Sequence, residues 1–149
     1  MQRPARLDDL DRKILDHLER DGRATLADVG EAVGLSASAV KRRVDRLHDT
    51  GVIVGYAAIV DPAAVGDRLE AFIELYCADT VAPGDLLSSV TALDSVVAAH
   101  TVAGDADAIV RVRLEGIEAL ERVIEQLRRD PKIMRTRTMV ALSTLVERP

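Results

Sequence analysis

The stretch TLADVGEAVGLSASAVKRRVDRL, Thr25 to Leu47, decides how the first part of the chain is read. Thr25 is a good N-cap with Asp28 three residues on, and Leu26, Val29 and Val33 recur at helical spacing as an inner stripe. Gly34 stops that helix, Leu35 follows, and Ser36 is placed to cap another whose stripe is Val40, Val44 and Leu47. Two short helices joined through V-G-L-S form the helix-turn-helix pattern, in which Gly34 permits the tight turn and Leu35 plugs the angle. Gly30, inside the first of them, is disfavoured by roughly 0.5–1 kcal/mol against Ala, which predicts close packing on a neighbouring helix. Upstream, Leu7, Leu10, Ile14 and Leu18 step by three and four, predicting a preceding helix capped by Asp8 or Asp9 and ended at Gly22.

The segment SASAVKRRVDRL puts four basic residues into twelve, in a chain of formal net charge -5. At about 100° per residue, the side opposite the Val40/Val44/Leu47 stripe carries Ser38, Arg42, Asp45 and Arg46, with Lys41 beside them. Ala37 and Ala39 are small, so the helix start can approach a groove and aim backbone N–H groups at a phosphate. Arg43 lies nearer the buried edge and is expected to snorkel or touch a backbone rather than read a base. The other reading is a solvated face with Lys41 or Arg42 paired to Asp45. The setting favours DNA: the helix is capped, follows a short glycine-containing turn, and turns its basic side outward. The acidic total is no obstacle, because residues 1–60 hold ten Lys/Arg and ten Asp/Glu, and residues 61–149 hold ten and fifteen.

After Gly51, a C-cap candidate, VIVGYAAIV has the β-branched content of a strand that serves as a wing and a link. Asp61-Pro62 then marks a boundary, giving a DNA-binding domain over residues 1–60 and a second domain over 61–149. In the latter, LEAFIELYC alternates Leu69, Ala71, Ile73, Leu75 and Cys77 against Glu70, Phe72, Glu74 and Tyr76. A helix on Leu86, Leu87, Val90 and Leu93 follows. SVVAAHTVA and DAIVRVRLE are predicted strands joined by a Gly104-Asp105 hairpin turn; then come a helix on Ile117, Leu120, Ile124 and Leu127 and a strand from about Ile133 to Val146. The order βαββαβ is ferredoxin-like, and the fold class is α+β. Helices on one face leave the other to be buried against a second copy, so an obligate dimer is expected.

Several function classes are disfavoured. No run approaches the roughly 20 apolar residues of a membrane span and the N-terminus lacks an apolar signal core, so a cytoplasmic protein without a membrane partner is expected. One cysteine, Cys77, and three scattered histidines make neither a disulfide framework nor zinc spacing, and neither metal nor cofactor is expected. Cys77 reads as a small hydrophobe, and His17 and His48 as surface residues. Apart from His100 there is no acid–base constellation, so no catalytic residue is assigned. Arg111, Arg113, Arg135 and Arg137 stripe neighbouring strands, either pairing with Glu74 and Glu115 or helping DNA wrap around an oligomer.

Taken together, LDDLDRKIL, DGRATLADVGEAVGLSASAVKRRVDRL, GVIVGYAAIVDP, HTVAGDADAIVRVR and RTRTMVAL resemble the Lrp/AsnC family of transcription regulators, from about Leu7 to Val146. The resemblance implies a winged-type helix-turn-helix followed by a RAM-type effector and oligomerisation domain, and dimers that often close into rings of four. It implies a small-molecule effector, usually an amino acid, bound between dimers. It places double-stranded promoter or operator DNA on Ser36, Ser38, Lys41, Arg42, Arg43 and Arg46, and hence a nucleoid-associated protein. It places the effector at His100, Thr101, Gly104, Asp105 and Asp107, facing Thr136 and Thr138. A glycine turn with an acidic neighbour suits an amino acid's carboxylate and ammonium; the other reading is an ordinary hairpin with solvated aspartates. Many members carry an aromatic residue in this turn, whereas here it is absent, which admits aromatic or bulky apolar amino acids and equally admits no ligand. Certain haem-biosynthesis decarboxylases share the two-domain plan, which makes a tetrapyrrole enzyme the alternative function; a helix-turn-helix kept only for interaction is a third.

Overall fold

Three side-chain caps set the helices of the first unit. In the computed structural model, which describes residues 6–78 and 81–146, Asp8 caps α1 (Asp9–Arg20), Thr25 caps α2 (Leu26–Val33) and Ser36 caps α3 (Ala37–Asp49). Asp8 and Asp11 form a reciprocal box: the Asp11 N–H donates to Asp8 Oδ1 at 2.8 Å and the Asp8 N–H to Asp11 Oδ2 at 3.1 Å. Thr25 and Asp28 repeat it on α2, which ends on left-handed Gly34. The cap of α1 at its C-terminus is Asp21 rather than Gly22, because its N–H still reaches the His17 carbonyl at 3.0 Å.

Ile14, Val29, Val40 and Val44 form the core of this unit, with Leu18, Leu26, Val33, Leu35 and Ile53 packed around them. Gly30 presses on the turn and not, as expected, on a helix: a Cβ there would stand 2.5 Å from the Leu35 carbonyl oxygen. The strand expected over Val52–Val60 is not formed. Val52 and Ile53 donate to the Leu47 carbonyl, but the rest joins no ladder among the described residues, and Val54 is 94% and Ile59 79% exposed. β-propensity alone does not make a strand: the backbone groups need a neighbouring strand, and among the described residues none pairs with them.

The chain divides at Ile59/Val60 into two compact units. The second is a four-stranded antiparallel sheet in the order β2-β3-β1-β4, from β1 (Leu69–Cys77), β2 (Val96–Thr101), β3 (Ala108–Leu114) and β4 (Ile133–Val140). Ala71, Ile73 and Leu75 of β1 and Val110 and Val112 of β3 are fully buried beneath α5 (Ile117–Arg128), which contributes Leu120, Val123 and Leu127. The other helix, α4 (Leu87–Thr91), is a single short turn after a 3-10 turn, with Leu86, Val90 and Leu93 inward and Leu87 exposed.

Two expected boundaries move. β4 stops at Val140, not Val146, because Val140 already faces Ala71 near the start of β1 and the Ala141 N–H takes the Glu70 carbonyl at 2.9 Å. β2 and β3 pair antiparallel as expected, but through six residues, Val102–Asp107, rather than a two-residue turn. Asp107 is drawn to β1 instead: its N–H donates to the Leu75 carbonyl at 3.0 Å and its carboxylate accepts the Cys77 N–H at 2.7 Å.

The arginine stripe meets only one of the two acids expected of it, Glu74 through Arg137, and otherwise turns to Glu70. Arg111 and Arg113 both bond Glu70, at 2.8 and 2.9 Å, while Glu115 pairs with Arg122 and Arg137 approaches Glu74 at 3.7 Å. Arg135 lies over the Tyr76 ring, 3.7 Å from its centroid. Burial pushes the Glu70 carboxyl up, but the two guanidinium hydrogen bonds outweigh it and hold it below the usual glutamate value.

Candidate nucleic-acid interface and effector region

The cap at the start of α3 fixes its first polar residues. Ser36 Oγ accepts the Ala39 N–H at 3.3 Å and lies 3.1 Å from Ser38 Oγ, and both serines are exposed. Lys41 pairs with Asp45 at 2.7 Å, but both are more than half exposed, so the pair contributes about 0.3–0.5 kcal/mol and yields readily to a phosphate. Arg42 is exposed and, among the described residues, is the one Lys or Arg of α3 without an ion-pair partner.

The other two arginines turn to α1. Arg46 Nη2 donates to both Asp11 oxygens at 2.6 Å, and Arg43 Nη1 donates to Asp11 Oδ1 and Asp8 Oδ2, each at 2.7 Å. Arg43 is therefore an ion-pair anchor and not the snorkelling residue expected, because a carboxylate waits at the buried edge. Asp11 itself is fully buried, whereas Arg43 is 23% and Arg46 49% exposed. A hollow of about 310 Å³ lies among Asp8, Arg42, Arg43 and Arg46. Asp8 and Asp11 were missed as site residues in the sequence, where Asp8 reads only as a cap. The signal was present: Asp11, Ile14 and Leu18 share one helical stripe, and an acid on an inner stripe requires a buried cationic partner.

Burial pushes the Asp11 carboxyl up, but the Asp8 N–H and the Arg46 and Arg43 guanidiniums outweigh it and hold it at about 2 against an ordinary 3.8. The Arg43 hydrogen bond likewise lowers Asp8. A depressed folded-state carboxyl contributes stability that is complete above the unfolded value and lost as pH falls through the folded one. The first unit is thus expected to lose stability between about pH 4 and 2. Thermal melts followed by helical circular dichroism across that range should show it, with a smaller pH dependence in Asp11→Asn.

The effector candidates do not converge within one chain. Across the sheet, Thr101, Ala108, Leu75 and Thr136 form one row on the helix-covered side, with Thr101 and Thr136 on opposite edge strands. Three strand spacings separate them, about 14 Å. Thr138 shares that side and Thr136 is buried, accepting Arg128 Nε at 3.0 Å. His100 lies in the next row, with Ile109, Glu74 and Arg137, on the opposite side of the sheet, and is exposed. Gly104 and Asp105 sit in the exposed connector, where φ of +153° at Gly104 suits only glycine.

Thr101 and Asp107 do come together, in a hollow of about 390 Å³ with Cys77, Val81, Leu86 and Val102. Burial, then the charges of Asp107 and Asp130, push the Cys77 thiol up, so it stays protonated at neutral pH. Among the described residues, no group of three or more His, Cys, Asp and Glu is placed to hold a metal ion, and no helix is long and apolar enough to cross a membrane.

Residues 7–48 match the AsnC-type helix-turn-helix domain, and residues 70–149 match the Lrp/AsnC ligand binding domain. The HTH-type transcriptional regulator Rv2324 of Mycobacterium tuberculosis is 41% identical over 143 residues, covering 96% of this chain and 97% of that one. The structure of E. coli AsnC superposes with a TM-score of 0.90 at 26% identity, over 97% of this chain and 98% of that one. The feast or famine regulatory protein Rv3291c of M. tuberculosis, complexed with L-methionine, gives 0.88 at 37% identity, over 95% and 96%. With both domains matched in order and relatives aligned over nearly their whole length, the chain belongs to the Lrp/AsnC family of transcription regulators.

Proposed function

We propose that the chain is a sequence-specific regulator that binds double-stranded promoter DNA through α3 and changes that binding when an amino acid occupies its second domain. The observation that carries this is the unpaired, exposed Arg42 on a capped helix, flanked by Lys41 in a weak pair and by the exposed Ser36 and Ser38. Arg42 and Lys41 supply phosphate or base contacts, the serines and the helix start meet the backbone, and Arg43 and Arg46 act from the α1 side. Such a protein works in the cytoplasm, associated with the nucleoid. The tetrapyrrole decarboxylase reading falls away with the family, whose matched domains bind DNA and ligand.

Two features support a dimer and rings of dimers. The sheet side away from the helices exposes His100, Arg137 and Met139, with Phe72 and Ile109 half-buried beside them. The effector residues lie on opposite edges of one sheet, so a site using His100, Thr101, Gly104, Asp105 and Asp107 with Thr136 and Thr138 draws them from more than one copy. Asp105 then meets the ammonium and connector N–H groups the carboxylate. Methionine is the first probe, since it is the ligand named for Rv3291c and for NMB0573 of Neisseria meningitidis.

The test is a binding titration on DNA upstream of the protein's own gene, repeated with each amino acid and read beside molecular mass. One amino acid should shift the affinity at least ~3-fold, with Asp105→Ala abolishing the shift and leaving ligand-free binding unchanged. If no amino acid alters affinity or mass, the effector assignment is wrong.

A further inference from the structure

Arg43 and Arg46 are each held through a single nitrogen. Asp11 Oδ1 and Oδ2 both accept Arg46 Nη2, and Arg43 Nη1 is shared by Asp11 and Asp8, so among the described residues Nε and the second Nη of each arginine remain without a partner. The fixing point is rigid: Asp11 is fully buried and is itself bound into the α1 capping box by the Asp8 N–H. Arg42 borders the same hollow, giving three guanidiniums against two carboxylates. That arrangement has the chemistry of an anion seat, planar guanidiniums bordering a hollow with net positive charge.

Resting on the DNA-binding reading of α3, we propose that Asp11 is a positioning residue for recognition: it orients Arg43 and Arg46 so that their free N–H donors, with Arg42, clamp one DNA backbone phosphate in register. A phosphate contact carries no sequence information itself, but it fixes where the duplex sits and so which bases the helix meets. Mobile cations neutralise phosphates equally well in diffuse, non-specific complexes. Losing the fixing point therefore lowers affinity for the operator and spares unrelated DNA. Asp8, 54% exposed at the rim, shares in holding Arg43 while setting a negative charge beside the phosphate.

The experiment measures affinity for upstream DNA and for unrelated DNA, each over a salt series, with melting curves recorded for every variant. Asp11→Asn should reduce the ratio of the two affinities at least ~10-fold, whereas a simple charge-screening role would raise both affinities together. Arg46→Lys keeps the charge beside Asp11 and loses the fork, so it should reduce the ratio similarly with an unchanged salt slope; it decides the matter if Asp11→Asn melts early. A wild-type ratio in Arg46→Lys, or in a folded Asp11→Asn, overturns the proposal. Arg42→Ala separates the two levels: if it too leaves operator affinity untouched, the reading of α3 has failed, and if it alone lowers affinity, only the clamp has.

Discussion

Gly30→Ala is expected to destabilise the first unit by about 2 kcal/mol, lowering its melting temperature by roughly 10 °C. On helix propensity alone the substitution would stabilise by about 1 kcal/mol, so the sign is decided by contact. The new Cβ would lie 2.5 Å from the Leu35 carbonyl oxygen, a backbone atom that cannot swing aside as a flexible side chain does. Moving it also strains the bond from the Leu35 N–H to the Gly30 carbonyl at 2.8 Å, which closes the turn between α2 and α3. The angle between those helices sets how α3 is presented, so DNA binding should fall with stability. Melting curves of wild type and variant check this; an alanine variant as stable as wild type would mean that the turn is not packed against α2 as described.

The Arg42→Ala, Arg46→Ala double variant is expected to lose about 100-fold in operator affinity, some 3 kcal/mol, with its mass in solution unchanged. Arg42 is exposed and holds no ion pair among the described residues, so its removal is expected to act on binding. Arg46 differs: removing it leaves the buried Asp11 carboxylate with Arg43 as its remaining guanidinium, which loosens α1 against α3. The double variant should therefore melt a little below wild type, while Arg42→Ala should not. Mobility shift beside mass measurement separates the two effects, and undiminished binding by the double variant would remove α3 as the reading helix.

Much of this was legible before the structure because it depends on local rules. Thr25 with Asp28, Gly34, and Ser36 define α2 and α3 through capping chemistry that needs no distant partner. The alternation in β1 likewise decided which side of the sheet is buried. What escaped depended on distant contacts. Val52–Val60 has the composition of a strand but no strand partner among the described residues, and the Gly104-Asp105 turn opened because Asp107 is claimed by β1. Arg43 read as an edge residue because sequence spacing shows a helix's own faces and not the acid that a neighbouring helix presents. Thr136 and Thr138 seemed to face the hairpin, whereas the strand order places them at the far edge.

The most direct measurement is the affinity of the wild-type protein for DNA upstream of its own gene across a salt series. Phosphate contacts release counterions, so with about four of them the affinity should fall about 100-fold between roughly 50 and 200 mM salt, and should remain well above that for unrelated DNA throughout. A flat salt dependence, or equal affinity for upstream and unrelated sequence, would contradict DNA recognition by the cationic face of α3.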